Sequence, residues 1–489
     1  MPSFNRKLVA HSSIVGAAAA AFVLPFTCSA AQTASGPRPP NVLFICFDDL
    51  SDWIQPLDPS SPIEMPHLDR LAQRGMMFRR AYCAAPECNP SRTALLSGYR
   101  PTTTGVYANA NDWKQVIPDA VMLPRYFREH GYSTAGAGKI FHHVDRHFHD
   151  EASFDDYLPF ETDRLPPEKF NGLTRARTPE GNWEPLAPTF DWGPSPTSED
   201  DMLDSRSATY AAEFLARTHE RPFFLAVGFF RPHLPYFAPQ RFLEQYPAVT
   251  TPLPPLKADD LDDVPAGAHA LMHRWKRMFR GIQQAPDPET TWREAVASYA
   301  AGTTYADEQL GRILDALDRS PHRDNTIIVI WSDHGYHLGE KDHWTKFVLW
   351  EKANRVPLLI VAPGVARAGG ASDRPVSLVD LYPTLVELCG LPARPDLDGL
   401  SLVPLLRDPA AERPRPALMT ENPGNHAVRS DRWRYIRYAD GGEELYDHTV
   451  DPHEWTNLAG DPQHRRTIAA HRRWLPTREA PVAPDHVSR

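Results

Sequence analysis

A chain of 489 residues can bury a large hydrophobic core, so one big domain with a smaller companion is expected. With 52 basic against 62 acidic residues the net charge is −10, which argues against a general nucleic-acid binder and requires any anionic ligand to be met by a local basic cluster. The 50 prolines predict long ordered loops between the regular elements.

Residues 1–31 read as a secretory signal. Arg6 and Lys7 supply the basic start, Ser13 to Phe26 the apolar run, and Ser29, Ala30 and Ala31 the small residues of a cleavage point. That run is too short to span a bilayer comfortably, and no later segment is long and apolar enough. The expectation is an exported chain, periplasmic or secreted, with no membrane span. A lipid on Cys28 is the weaker alternative, because Pro25, Phe26 and Thr27 fit a lipoprotein signal poorly. The other cysteines, Cys46, Cys83, Cys88 and Cys389, are too scattered for a disulfide framework. Cys46 and Cys389 fall in apolar segments and read as core; a partner for Cys83 stays open.

Asn41 to Phe47 is a continuous apolar run, as in a strand buried on both faces of a parallel sheet, and it ends in Asp48-Asp49. Pro66 to Arg80 is amphipathic and predicts a helix. Cys88-Asn89-Pro90-Ser91-Arg92 reads as a helix start, with Pro90 in the first helical position, Cys88 just outside, and Gly98 as the stop. An anion held at that N-terminus, with Arg92 one turn along, competes with the plainer reading of an ordinary buried cysteine. A helix from Leu123 to His130, a strand from Ser133 to Gly138, a helix from Leu203 to Arg217 and a strand from Phe223 to Phe229 follow. Pro239 to Gln284 is Pro-rich with few periodic signals and reads as an ordered excursion. Thr290 to Arg319 is the longest helical pattern. The strand Thr326 to Trp331 runs into Ser332-Asp333-His334-Gly335; a strand Val356 to Val361 and a helix Ser377 to Cys389 complete an alternating α/β domain, residues 37–408. Residues 409–489 read as a small C-terminal α+β subdomain. Its short strands are Ala417 to Glu421, Ala427 to Ser430, Trp433 to Tyr438 and Glu444 to Tyr446, and its last helix lies near Asp461 to Trp474.

Two acidic strand ends, Asp48-Asp49 and Asp333-His334, lie where α/β folds place ligands, and oxygen-dominated donors suit a hard divalent cation. Helix capping or solvated loop acids would explain either pair alone. Lys139, His142, His233 and Lys346 each follow a strand end. A lone Lys or His in such a place is usually solvated or fills a polar hole, so their common placement is what raises them as binders of an anionic ester.

Cys-x-Pro-Ser-Arg followed by Gly resembles the signature of the type I sulfatases, in which the cysteine is oxidised to formylglycine by a modifying enzyme. Gly138-Lys139-Ile140-Phe141-His142 and Arg231-Pro232-His233-Leu234-Pro235 are similar to segments of the iduronate-2-sulfatase branch. The resemblance implies an alkaline-phosphatase-like domain with a central, mostly parallel sheet flanked by helices. It implies one Ca²⁺ per chain on Asp48, Asp49, Asp333, His334 and position 88. It also implies Cys88 as nucleophile precursor, with Arg92, Lys139, His142, His233 and Lys346 on the sulfate or the formylglycine. The expected partners are a formylglycine-generating enzyme and a sulfated carbohydrate, with the 2-O-sulfate of a uronic residue as the leading substrate. Choline or another alkyl sulfate, a phosphomonoester or phosphonate ester, and a non-catalytic carbohydrate-binding role are the alternatives. The segment from Asp145 to Pro196 carries no motif that places it.

Overall fold

The computed structural model describes residues 38–142 and 147–486. The expected signal, residues 1–31 with Cys28, lies outside the described residues.

An eight-stranded sheet organises the main body. Its strands, in chain order, are β1 (Asn41–Asp48), β2 (Met76–Phe78), β3 (Ser133–Gly138), β4 (Asp156–Leu158), β5 (Phe223–Pro232), β6 (Thr326–Ser332), β7 (Leu358–Val361) and β8 (Gly370–Ser372), and their order in space is β8-β2-β7-β6-β1-β5-β3-β4. β6, β1, β5, β3 and β4 are mutually parallel, while β7 runs antiparallel to both its neighbours. The main helices are α1 (Pro66–Ala72), α2 (Cys88–Ser97), α3 (Leu123–Glu129), α4 (Leu203–Leu215), α5 (Ala266–Gln283), α6 (Pro288–Arg319), α7 (Leu381–Leu388) and α8 (Arg465–Arg472).

β1 shows why the centre reads as a solid apolar run. Leu43, Ile45 and Phe47 enter one core layer with α6, and Val42, Phe44 and Cys46 enter the other with Leu95, Leu96 and the α7 side chains. Both faces are dry, so neither set can be polar. A second sheet, β9 (Ala417–Thr420), β10 (His426–Arg429), β11 (Trp433–Arg437) and β12 (Glu443–Asp447), is a four-stranded antiparallel meander. One of its faces shares a cluster with Tyr82, Met272, Leu349 and Trp350, and the other packs on Ile468 of α8.

Four local expectations are corrected. The helix begun at Pro66 stops at Ala72, and Met76–Phe78 is a strand. The turn at Gly75 admits no side chain, since a Cβ there would sit 2.6 Å from the Ile360 carbonyl oxygen. α2 begins at Cys88 itself, because Ser91 N–H already donates to Glu87 O at 3.0 Å; Pro90 lies within the first turn, where an N–H has no intrahelical partner to lose. The strand expected over Val356 to Val361 is split by Pro357: Arg355–Val356 pairs with Ala81–Tyr82 in a small separate sheet, and β7 starts at Leu358. The Pro239–Gln284 excursion contains the 18-residue α5, whose buried Ala268, Met272, Met278, Phe279 and Ile282 follow a helical period broken up by basic residues. Cys46, Cys83, Cys88 and Cys389 are all buried free thiols.

Candidate active site

Four parallel strands deliver their ends to one edge of the sheet. β1 ends at Asp48, β6 leads into Asp333, β3 into Lys139, and β5 carries Arg231 and leads to His233. Asp49 then takes a left-handed backbone (φ 63°), unusual outside glycine, which reverses the chain over the sheet edge. Its N–H donates to Asp333 Oδ1 at 3.2 Å, and Tyr299 Oη donates to its carbonyl at 2.7 Å. Lys346 is delivered by a loop in which Lys341, Asp342, Thr345 and Phe347 also have positive φ.

Cys88 lies at the convergence and is 1% exposed. Its Sγ is 3.0 Å from Lys346 Nζ, 3.3 Å from His334 Nε2 and 3.8 Å from Lys139 Nζ. Lys139 pairs with Asp48 and Lys346 with Asp49. His334 Nδ1 is 3.0 Å from the Gly335 carbonyl and its Nε2 faces the cluster, 3.3 Å from Asp49 Oδ1 and 3.4 Å from Asp333 Oδ2; burial would lower its pKa, but Asp333 outweighs burial and raises it. Burial would push the Cys88 thiol up, but Lys139 and Lys346 outweigh it and hold it well below the ordinary range. Position 88 therefore favours negative charge. The same reasoning applies to Asp333, where Arg92 and His334 outweigh burial and keep the carboxyl ionised.

Asp48, Cys88, Asp333 and His334 present ligand atoms within 4.8 Å of one another, as do Asp49, Cys88 and His233. Together the two sets hold three carboxylates, two imidazoles and the sulfur of position 88, and the three carboxylates could hold a hard divalent cation.

Arg92, expected on the sulfate or the formylglycine, has its guanidinium engaged by protein groups. It donates Nε to Asp333 Oδ2 at 2.9 Å, one terminal nitrogen to Asp48 Oδ1 at 2.9 Å, and the other to the carbonyls of Lys139 (2.5 Å) and Ile140 (3.0 Å). It is 1% exposed. Its role is to tie together the ends of β1, β6 and β3, fixing the two carboxylates and the Lys139 backbone at once.

Beside this centre opens a cavity of about 310 Å³ lined by Lys139, His142, His233 and Arg231, with Phe160, Thr162, Asp163, Leu165 and Thr189 on its far wall. His233 Nε2 is 3.8 Å from Asp49 Oδ2, so it stands between cavity and carboxylates. Residues 160–189, within the segment that carries no motif, thus supply part of the lining. Sequence reasoning missed Asp163 and the buried Arg231 it pairs with at 2.8 Å, and also Asp204, which accepts the N–H groups of Phe230 and Arg231 at 2.7 and 3.0 Å. The Arg-Pro-His motif pointed at Arg231, but its partners come from segments without any pattern of their own.

The Sulfatase family profile matches residues 40–391, and that of N-sulphoglucosamine sulphohydrolase, C-terminal, matches 339–479. A sulfatase of Formosa agariphila is 37% identical over 90% of this chain and 87% of its own length. A choline-sulfatase of Rhizobium meliloti is 31% identical over 87% and 83%, and the iduronate 2-sulfatase of Mus musculus is 32% identical over 75% and 72%. Among solved structures, the phosphonate monoester hydrolase of Agrobacterium radiobacter aligns with a TM-score of 0.72 at 23% identity, over 89% of this chain and 94% of that one. With its parallel strand ends converging on Cys88 and its mixed, helix-flanked sheet of alkaline-phosphatase type, the chain belongs to the sulfatase family, enzymes that hydrolyse sulfate esters.

Proposed function

We propose that the chain removes a 2-O-sulfate from a uronic, iduronic-type residue of a sulfated polysaccharide or oligosaccharide, through a formylglycine made from Cys88 by a modifying enzyme of the host. The observation that carries this reading is the approach of Lys346 and His334 to Cys88 Sγ, at 3.0 and 3.3 Å, directly beside a cavity faced by Lys139, His142 and His233. The kinship with an iduronate 2-sulfatase and the Gly-Lys-x-Phe-His and Arg-Pro-His-x-Pro segments support the sugar. Asp48, Asp49, Asp333 and His334 would hold a calcium ion. The ion would supply positive charge for a sulfate oxygen, and formylglycine would supply a hydrated aldehyde as nucleophile.

The chain's own side chains account for the rest. Lys139 and Lys346 neutralise oxygens of a bound sulfate from two sides, and their pairing with Asp48 and Asp49 holds them in place without further reorganisation. Arg92 fixes both carboxylates. His233, whose Nδ1 lies 2.6 Å from the Leu234 carbonyl, keeps Nε2 toward the reacting centre and gives its proton to the leaving sugar oxygen, with His142 on the same wall. Burial of the whole cluster strengthens each of these interactions.

A second reading, a choline or alkyl sulfate, is favoured by the choline-sulfatase kinship and by the Phe160–Phe230 ring pair (5.8 Å) on the cavity wall, since aromatic faces suit a quaternary ammonium. One experiment separates the two: sulfate release from defined sulfated oligosaccharides, choline sulfate and aryl phosphates, after peptide mass confirms conversion of Cys88. Preference for the 2-O-sulfated uronate supports the proposal; preference for choline sulfate overturns its substrate, and preference for phosphate overturns its reaction.

A further inference from the structure

A second cluster of metal-binding side chains lies away from Cys88. Asp112 precedes the short helix Trp113–Val116, His147 belongs to the segment after β3, and His486 lies on the C-terminal tail. Their ligand atoms all fall within 4.8 Å of one another. We propose that Asp112, His147 and His486 form a site for a borderline divalent ion of the Zn²⁺ class, which fastens the C-terminal tail to the segment bordering the cavity.

Three observations carry the assignment. The first is geometry. His147 Nε2 is 3.0 Å from Asp112 Oδ2, and metal bonds of about 2.0–2.1 Å to nitrogen and oxygen set neighbouring ligand atoms at roughly that spacing.

The second is the two histidines themselves. Their rings stack with centroids 3.4 Å apart and 19° between planes. A metal would take both as neutral ligands once the rings turn out of this stack to aim a nitrogen each at the ion. Two nitrogens and one carboxylate oxygen select the Zn²⁺ class over Ca²⁺, in contrast to the oxygen-rich set around Asp48.

The third is the way the three segments are held: backbone bonds join the tail to residues 102–112, and Trp113 Nε1 donates to the Phe148 carbonyl at 3.0 Å. The tail runs along residues 102–112: Ala480 N–H donates to Thr102 O and Ala483 N–H to Gly105 O, both at 2.8 Å, His486 N–H donates to Ala110 O at 2.7 Å, and Asp112 N–H donates to Pro484 O at 2.8 Å. Asp112 is steadied by Lys114 N–H (3.1 Å) on Oδ1 and Gln115 Nε2 (2.9 Å) on Oδ2. His147 is steadied by Phe148, whose ring packs at 5.4 Å on His142 of the cavity wall. The sequence from His142 to His149 holds four histidines, an unusual density that suits a metal-binding stretch.

The test uses the full chain carrying Cys88→Ser, so that conversion of position 88 has no bearing, stripped by chelation and then saturated with Ca²⁺. Titration calorimetry with Zn²⁺ should show one equivalent more in this parent than in the same chain with His486→Ala or Asp112→Asn, and Zn²⁺ should slow hydrogen exchange over residues 479–486 in the parent only. Asp112→Asn keeps the helix cap and guards against a folding defect in His486→Ala, with circular dichroism as the check. Equal Zn²⁺ stoichiometry in the parent and both folded variants overturns the site. A lost equivalent without tail protection overturns the fastening.

Discussion

Cys88 is surrounded by groups of two kinds, and substitutions should separate them. Lys346 touches both Sγ and Asp49, and His233 faces the cavity, so Lys346→Ala and His233→Ala should each lower kcat/KM by roughly 10²-fold or more, the scale of a lost electrostatic or acid–base group. Steady-state kinetics on the best substrate of the panel checks this; losses under about tenfold in both would remove them from the chemistry. Cys88→Ser should abolish turnover, because a serine hydroxyl is a single nucleophilic group with no aldehyde hydrate, while the unfolding midpoint stays close to that of the parent. Normal sulfate release by that variant would sink the formylglycine reading. The acidic pairs and the signature cysteine were legible because each sits at a strand or helix end with few other reasons to be there. Arg92 was read only in part: a motif names the residue, but its four protein acceptors at the ends of three different strands are a matter of tertiary packing.

The elements position these residues through contacts that leave no room for a methyl group. β3 and β5 run side by side with Gly138 opposite Gly228, and Lys139 follows at once. A Cβ on Gly228 would lie 2.0 Å from the Lys139 carbonyl oxygen and 2.7 Å from its nitrogen, both backbone atoms that cannot swing away. Gly228→Ala should therefore push the Lys139 peptide off the sheet edge, costing about 3 kcal/mol of stability and lowering kcat/KM together with it. Chemical denaturation and kinetics on the same preparation check this, and a variant that unfolds like the parent with full activity would refute it. Central strands such as β1 and β6 could be read from composition, since both faces are buried and almost any apolar run fits. The direction of β7 could not, because antiparallel pairing beside β6 is set by the return path through Pro357 and not by the Leu358–Val361 side chains. α5 was hidden for another reason: its apolar stripe is narrow and its other faces carry His and Arg, so composition resembled the proline-rich flanks.

At the scale of the whole molecule, the two sheets are joined by a polar core that is sensitive to acid. Trp350, next to the loop that carries Lys346, donates to Glu444 of β12 at 2.8 Å, and His337 packs on its ring. His343 lies beside His337, ring centroids 5.3 Å apart, and its Nε2 is 2.8 Å from the Lys346 carbonyl. Burial drives the His343 imidazole down from its ordinary 6.5 to about 4, and burial with the neighbouring His343 drives His337 down as well. In the folded chain both are neutral. As pH falls below about 6.5 the unfolded chain binds protons that the native state refuses, so stability present above the unfolded value is lost on the way down to about 4. For His343 alone the loss amounts to about 3 kcal/mol over that window. His343→Gln keeps an N–H for the Lys346 carbonyl and removes the titration. Its denaturation free energy should fall less steeply between pH 6.5 and pH 4 than that of the parent, with the two curves parallel above pH 7.5. Parallel curves across the whole range would mean that His343 is protonated in the native state, and the neutral polar junction between the sheets would have to be abandoned.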